Sequence, residues 1–436
     1  MSDGNRYSSK IPIGNRDAAE ARRTNKEVHV TDTGKNMFDL RASNRAAILS
    51  LLYTSGGMSR RDIAIRMNLT AAAISQITAD MIEEGILVEA KKTQDHKMGR
   101  RAVILEIAST KYKVLCAHMP TRNVSISCFD LAGSRYFQKN IEYDASLSGK
   151  EVINGVCDEM QAYMSQMDPQ ERKGIVNIGF GVKGICDDVH GVSVTSFGLF
   201  EDNLPIREIV ESRLGVRTLV NNDIRCMAFG DMFYNRHEVL HSMLFIKLGP
   251  LVGGAYVMNG NLFSGYNHQA MEVGHYVVDP QGEMCGCGKK GCLDTVIGFD
   301  VIAAQLERQY SAENLPVLYE LTNGDKANIS METIMESYDL DDKVVSDMLD
   351  SALERFALML VNTAGLVDPQ RITLYGFPFR SHKFVDMLSE KVGLFAHKGL
   401  TAEIVISSRN LQLEDIGCAA VVINDFLSFE PKRPTA

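Results

Sequence analysis

Between residues 43 and 85 apolar positions recur every three or four residues, the spacing of helices that bury one face. In "SNRAAILSLLY" Ala47, Ile48, Leu51 and Leu52 share a face, and Ser43 can cap it. A second helix begins after Ser59, with Ile63, Ala64 and Met67 on its apolar side. After the turn "NLT", Thr70 opens a third helix that carries Ile74, Ile77, Met81 and Ile82 and stops at Gly85. The period then falls to two: "ILVEA" and "RRAVILEI" read as strands joined by a basic loop.

Two short helices around a tight turn, followed by a basic hairpin, predict a winged helix-turn-helix over 37–108. The early, outer part of the third helix offers small and polar residues, Thr70, Ala71, Ala72, Ser75 and Gln76, which suit a major groove. Gln76 can read a base edge, and the alanines permit close approach or touch thymine methyls. Arg60 at the start of the second helix and Lys91, Lys92, Lys97, Arg100 and Arg101 on the wing suit phosphates. The plainer alternative is a small helical interaction domain that meets no DNA. The first 36 residues carry no period and are expected to be a flexible polar tail.

From about residue 111 short apolar strands alternate with amphipathic helices. "YKVLCAHM", "NVSISCFDLAG" and "SRYFQKNIEY" read as three strands, followed by a helix over about 150–166 and a buried strand "GIVNIGFGV". "RTLVNND", "SMLFIKLG" and "GGAYVMNG" add three more, and "LEDIGCAAVVINDFL" reads as a closing helix. This order is that of an α/β body with layered helices.

Charge sharpens the division. The net charge is −9, yet residues 1–113 hold 19 Lys/Arg against 13 Asp/Glu, so a basic front precedes an acidic body. Only the front is suited to a polyanion. No apolar run approaches the roughly 18 residues of a membrane span, and the polar N-terminus has no apolar signal core. Nine cysteines, an odd number and mostly scattered, argue for a reducing cytoplasm over a disulfide framework.

One cluster of cysteines stands out. "GHYVVDPQGEMCGCGKKGCLD" sets His275, Cys285, Cys287 and Cys292 in the spacing H-x9-C-x-C-x4-C. These are soft or borderline ligands suited to a closed tetrahedral zinc site, with Gly286, Gly288 and Gly291 letting the chain turn. A thiol loop without metal competes on the residues alone.

The helix-turn-helix, the strand ending at Asn222-Asp223, the "GG" hairpin, "EVGH" and the cysteine cluster together resemble the ROK family, from about residue 40 to 425. That family joins sugar kinases to transcriptional repressors of sugar operons, and the order of parts here resembles the repressors. The resemblance implies a two-lobed, actin-like or ribonuclease-H-like fold with a sugar in its cleft and a structural zinc. The lobes are expected over 109–225 with 409–429, and over 226–408. The resemblance also implies that Asn222, Asp223, Glu272 and His275 bind sugar hydroxyls, chemistry for which carboxylates and amides are suited. Asp223 matches the catalytic aspartate of the kinases in the family.

The phosphate loops depart from the kinase pattern. "HMPTR", His118 to Arg122, stands where an Asp-x-Gly-x-Thr-like segment is expected, and "GPLVGGA" has Pro250 where a threonine would offer its hydroxyl. Lys183 replaces the proline of a family turn, Gly198 stands where an asparagine meets sugar, and Asp294 is one carbon shorter than the usual Glu. Lys183 would suit a phosphorylated or acidic sugar, although a loop lysine is usually just solvated. The sequence therefore predicts a non-enzymatic, zinc-bearing repressor. It would act as a homodimer or tetramer on double-stranded operator DNA, with a sugar or sugar derivative as effector. An active sugar kinase with a fused DNA-binding domain is the alternative.

Overall fold

A computed structural model describes residues 10–11, 44–45, 47–49, 51–53, 55–90, 103–108, 110–234, 240–398, 400–407 and 413–428. The chain forms two compact units, one of Val239–Leu413 joined by the strand Lys10–Ile11, the other of Asn25–Glu238 and Glu414–Ala436.

The winged helix-turn-helix lies within the second unit. Its helices Arg60–Met67 and Ala71–Glu83 start at the expected caps: Ser59 Oγ accepts from the Asp62 N–H at 3.2 Å and Thr70 Oγ1 from the Ala73 N–H at 3.2 Å. Asn68 between them takes φ 53°, a left-handed conformation asparagine tolerates. Ile48, Leu49, Leu52, Ile63, Ile74, Ile77 and Met81 are buried together with Leu87 and Leu105. In the first helix Ala47 is exposed, so its buried face runs through Leu49 instead of Ala47. The wing strands Leu87–Ala90 and Ile104–Ile107 pair antiparallel, and Met58–Ser59 adds a third strand.

The same unit holds a five-stranded sheet in the order Thr218–Asn222, Ile175–Val182, Lys113–Met119, Asn123–Asp130, Arg135–Glu142. The first three strands are parallel and the last two antiparallel additions. Near-continuous apolar runs make the central strands buried on both faces. Helix Gly149–Gln166 begins with a capping box between Ser148 and Glu151. The closing helix Leu413–Ser428 is tied to this sheet: Asn177 Nδ2 donates to the Val422 carbonyl at 3.2 Å, and Arg217 grips both oxygens of Asp425 at 2.9 and 3.0 Å.

The other unit holds a mixed sheet ordered Lys10–Ile11, Glu403–Ile406, Arg371–Tyr375, Ser242–Leu248, Val252–Met258, Asn261–Leu262. Helices Phe299–Arg308, Lys343–Val367 and His382–Phe395 bury their apolar faces in its core. Lys10 and Ile11 pair antiparallel with Val405 and Ile404, so the expected flexible tail joins a sheet edge at these two residues. Backbone pairing needs no side-chain period, and the polar tail gave none. Helix Asp223–Tyr234 lies in the same unit as the five-stranded sheet, whereas the expected first lobe ends at 225. No helix among the described residues is long and apolar enough to cross a membrane.

Candidate functional site

The third helix presents Ala71, Ala72, Ser75 and Gln76 to solvent, while Ile74, Ile77 and Thr78 face the core. Thr70 is committed to its cap, and the Ser75 hydroxyl returns to the Ala71 carbonyl at 2.8 Å, leaving Gln76 as the long polar side chain on this face. Arg60, expected at phosphates, has partners within the domain. Its Nε donates to Thr78 Oγ1 at 3.1 Å and its guanidinium meets Glu89 at 2.8 Å, so it braces the recognition helix against the wing. Arg61 and Arg66 on the same helix are exposed and went unnoticed because nothing in the apolar period separates them from Arg60. Lys91, Lys92, Lys97, Arg100 and Arg101 lie outside the described residues.

The winged domain is fastened to the sheet behind it. Arg45, itself buried, forms a two-pronged ion pair with Glu84 at the end of the recognition helix. The Glu84 carbonyl accepts from Lys111 Nζ at 2.9 Å and from the Tyr112 hydroxyl at 2.8 Å. The Tyr112 ring lies 5.1 Å from that of Phe426 in the closing helix. On another side the Tyr53 ring packs against Phe233 and Tyr234.

Asn222 and Asp223 stand where the strand Thr218–Asn222 turns into helix Asp223–Tyr234. Asn222 is a capping residue: its Oδ1 accepts from the Arg225 N–H at 3.0 Å, and its Nδ2 donates to the Gly184 carbonyl at 2.9 Å. One amide hydrogen and one lone pair are left for a ligand, fewer than a free asparagine offers. Asp223 is buried at the first position of the helix, where the exposed N–H groups of the first turn favour its negative charge.

In the other unit Glu272 precedes a short turn of helix, Val273–His275. Gly274 lets that turn approach closely, since a Cβ there would sit 2.5 Å from both Asp294 Oδ1 and the Val252 carbonyl. Asp294 Oδ1 in turn accepts from the Val252 N–H at 2.8 Å, so this carboxylate holds the hairpin and the "EVGH" turn together.

The chain then folds back so that His275, Cys285, Cys287 and Cys292 converge, their ligand atoms all within 4.8 Å of one another. Gly291 has φ 69°, and a Cβ there would lie 1.5 Å from the Asp279 carbonyl, so only glycine fits. Gly288 has φ 88°, whereas Gly286 has open space around it and does not take a left-handed conformation, so it is not the turn-maker expected. Cys285 Sγ is 3.6 Å from His275 Nδ1, and Cys287 Sγ is 3.6 Å from Cys292 Sγ. A tetrahedral ion with one nitrogen at about 2.0 Å and three thiolates at about 2.3 Å spaces its ligands by about 3.5–3.8 Å, and the group fits. His275 Nδ1 also lies 3.6 Å from Asp294 Oδ2, too long for a direct hydrogen bond but within ion-pair range of a protonated imidazole. As free thiols, burial pushes Cys285 up, and burial with the neighbouring thiols pushes Cys292 to about 12. Binding a metal would release those protons.

The ROK family profile matches residues 138–423. The chain belongs to the ROK family. A MarR family profile matches residues 43–98, the winged helix-turn-helix. The xylose repressor of Caldicellulosiruptor bescii is 23% identical over 395 residues, covering 89% of this chain and 98% of that one. The DNA-binding transcriptional dual regulator NagC of Escherichia coli K12 is 23% identical over 341 residues, covering 76% of this chain and 80% of that one. A crystal structure of a ROK family transcriptional regulator, described as a homologue of the Escherichia coli MLC protein, superposes with a TM-score of 0.74 at 20% identity, covering 89% of this chain and 97% of that one. The fold is thus a MarR-type winged helix-turn-helix followed by the ROK sugar-kinase-like body.

Proposed function

We propose that this protein is a cytoplasmic transcriptional repressor of carbohydrate-utilisation genes, which binds operator DNA as a homodimer or tetramer and responds to a sugar or sugar derivative. The observation that carries the reading is the exposed face of the recognition helix, Ala71, Ala72, Ser75 and Gln76, on a domain fastened to a ROK body. Gln76 would read a base edge, and Arg61 and Arg66 with the basic wing would neutralise phosphates.

Asn222, Asp223, Glu272 and His275 are the proposed sugar ligands, with Asn222 also positioning the helix that Asp223 begins. A zinc ion held by His275, Cys285, Cys287 and Cys292 is the proposed structural metal, and the closed four-ligand set leaves no coordination position for a substrate. When bound it would fix the loop that follows "EVGH"; Lys289, donating to the His275 carbonyl at 2.7 Å, and Asp294 fix that turn from within the chain.

Phosphoryl transfer is not part of the proposal. Arg122, at the end of the altered first phosphate loop, donates to the carbonyls of Asp144, Leu147 and Leu199 at 2.9–3.0 Å and lies over the Phe200 ring. This engagement of Arg122 with the backbone, and the lack of glycines in "HMPTR", support the reading that the loop does not serve ATP phosphates. At the second loop, Gly249 receives the Phe299 N–H at 3.0 Å, and the Pro250 carbonyl sits where a side chain on Gly298 would be. Footprinting on DNA selected by the full-length protein, with and without sugars, tests the reading. Sequence-selective protection that a sugar weakens supports it; turnover of ATP with a sugar opposes it.

A further inference from the structure

Three parallel strands of one sheet end in register, Met119 beside Val182 and Val182 beside Asn222, and their carboxyl ends form one edge. Ligands of open α/β sheets bind outside this edge. Asp223 follows one strand there, and Lys183 follows its neighbour, anchored by its own N–H to the Met119 carbonyl at 3.3 Å. Lys183 is half-buried, and its ammonium makes no hydrogen bond or ion pair among the described residues. Partial loss of hydration without a partner is unfavourable for an ammonium, and an arriving anion would relieve it.

A second feature lies on the same edge. Gly184, whose carbonyl receives Asn222, packs so tightly against the next hairpin that a Cβ on it would lie 2.2 Å from the Thr195 carbonyl and 2.9 Å from Ser196 Cα. The next residue, Phe197, is 39% exposed and has φ 52°, a conformation rare for an aromatic residue. The loop is held there by the buried Ser196 hydroxyl, which accepts from the Phe200 N–H at 2.7 Å. Backbone outliers held in place by buried neighbours cluster at ligand sites and clamps.

We infer that the effector is an anionic sugar derivative, a sugar carboxylate or sugar phosphate. Lys183 takes its charged group, Phe197 takes the C–H face of its ring, and Asp223 takes hydroxyls. The inference rests on the proposed sugar site at Asn222 and Asp223. It also gives the departures at Lys183 and Gly198 a common purpose: they exchange recognition of a neutral hexose for recognition of charge.

The test is isothermal titration of the full-length protein with glucose, xylose and N-acetylglucosamine, with glucose 6-phosphate and glucuronate, and with inorganic phosphate as control. One of the two anionic sugars should bind about tenfold or more tightly than glucose, the range of a charge-assisted hydrogen bond. Glucose 6-phosphate and glucuronate separate phosphate from carboxylate. In Lys183→Met the ratio should collapse toward one, in Lys183→Arg it should persist, and Phe197→Ala should weaken neutral and anionic sugars by the same factor. Equal binding of glucose and its anionic derivatives, a ratio that survives Lys183→Met, or silence from every compound overturns the inference. Footprinting of the same preparations separates the two claims. DNA protection relieved by a neutral sugar keeps the repressor and removes the anionic effector, whereas absent DNA selectivity removes the repressor and leaves the affinity ratio to decide the ligand.

Discussion

The Tyr53 ring lies 4.9 Å from that of Phe233 and 6.0 Å from that of Tyr234, joining the first helix of the winged domain to the last turn of helix Asp223–Tyr234. The same helix begins at Asp223, a proposed effector ligand, so one rigid element of 12 residues has the effector residue at one end and the DNA-binding domain at the other. A shift of the helix along or about its axis would reach Tyr53 directly.

Tyr53→Ala should therefore uncouple the two functions. Operator affinity without effector should stay within about threefold, the effector should still bind, and the weakening of DNA binding by effector should fall by at least half. Stability should drop by about 2 kcal/mol through lost aromatic packing. Operator titrations with and without effector measure this; an intact response in Tyr53→Ala would show that the signal travels by another route.

At the recognition helix, Gln76→Ala should cost about 1–3 kcal/mol on the preferred operator and relax selectivity at one base position. Arg61→Ala should instead weaken all sequences alike and lower the slope of log affinity against log salt by about 1. Arg60→Ala should act through stability, since its guanidinium is bonded to Thr78 and Glu89. Salt-dependent binding curves distinguish the three.

These assignments show what the sequence could reveal. Caps at Ser59 and Thr70, the strand ending at Asn222 and the convergence of His275 with three cysteines were all legible, because each rests on residues close in sequence or on a period. The bonds that commit Arg60, Arg122 and Asn222 were not. Apart from the local Asn222–Arg225 cap, they link positions 18 to 77 residues apart, and no local pattern marks a side chain as already engaged. The helices between 299 and 395 carry amphipathic periods but no chemistry, so the sequence reading placed none of them.

Removing the metal should disorder the loop that carries "EVGH". Purified protein should contain one zinc per chain, and Cys285→Ser should lose it with a melting temperature lowered by several degrees, as expected for loss of a closed four-ligand site. Metal analysis together with a thermal scan checks this; full stability without zinc would make the cluster a plain thiol loop.

Glu201 offers a pH test remote from DNA and metal. Burial raises its pKa, but its own N–H, those of Gly149 at 2.6 Å and Lys150 at 3.1 Å, and the nearby Arg122 charge outweigh that and leave it lowered. A depressed folded-state pKa gives stability that is present above the unfolded value and lost as pH falls through the folded one. Glu201→Gln should thus destabilise the fold near neutrality, and the difference should shrink as pH falls through and below the ordinary glutamate range. Denaturant melts of both proteins across pH 3–7 give the comparison.

The most direct test of the whole account is titration of full-length protein onto its selected operator with sugar, with ATP, and with both. The account predicts tight, salt-dependent binding that sugar alone weakens at least tenfold, with no effect of ATP and no phosphorylated product. DNA binding indifferent to every sugar, or sugar phosphate appearing when ATP is added, would contradict it.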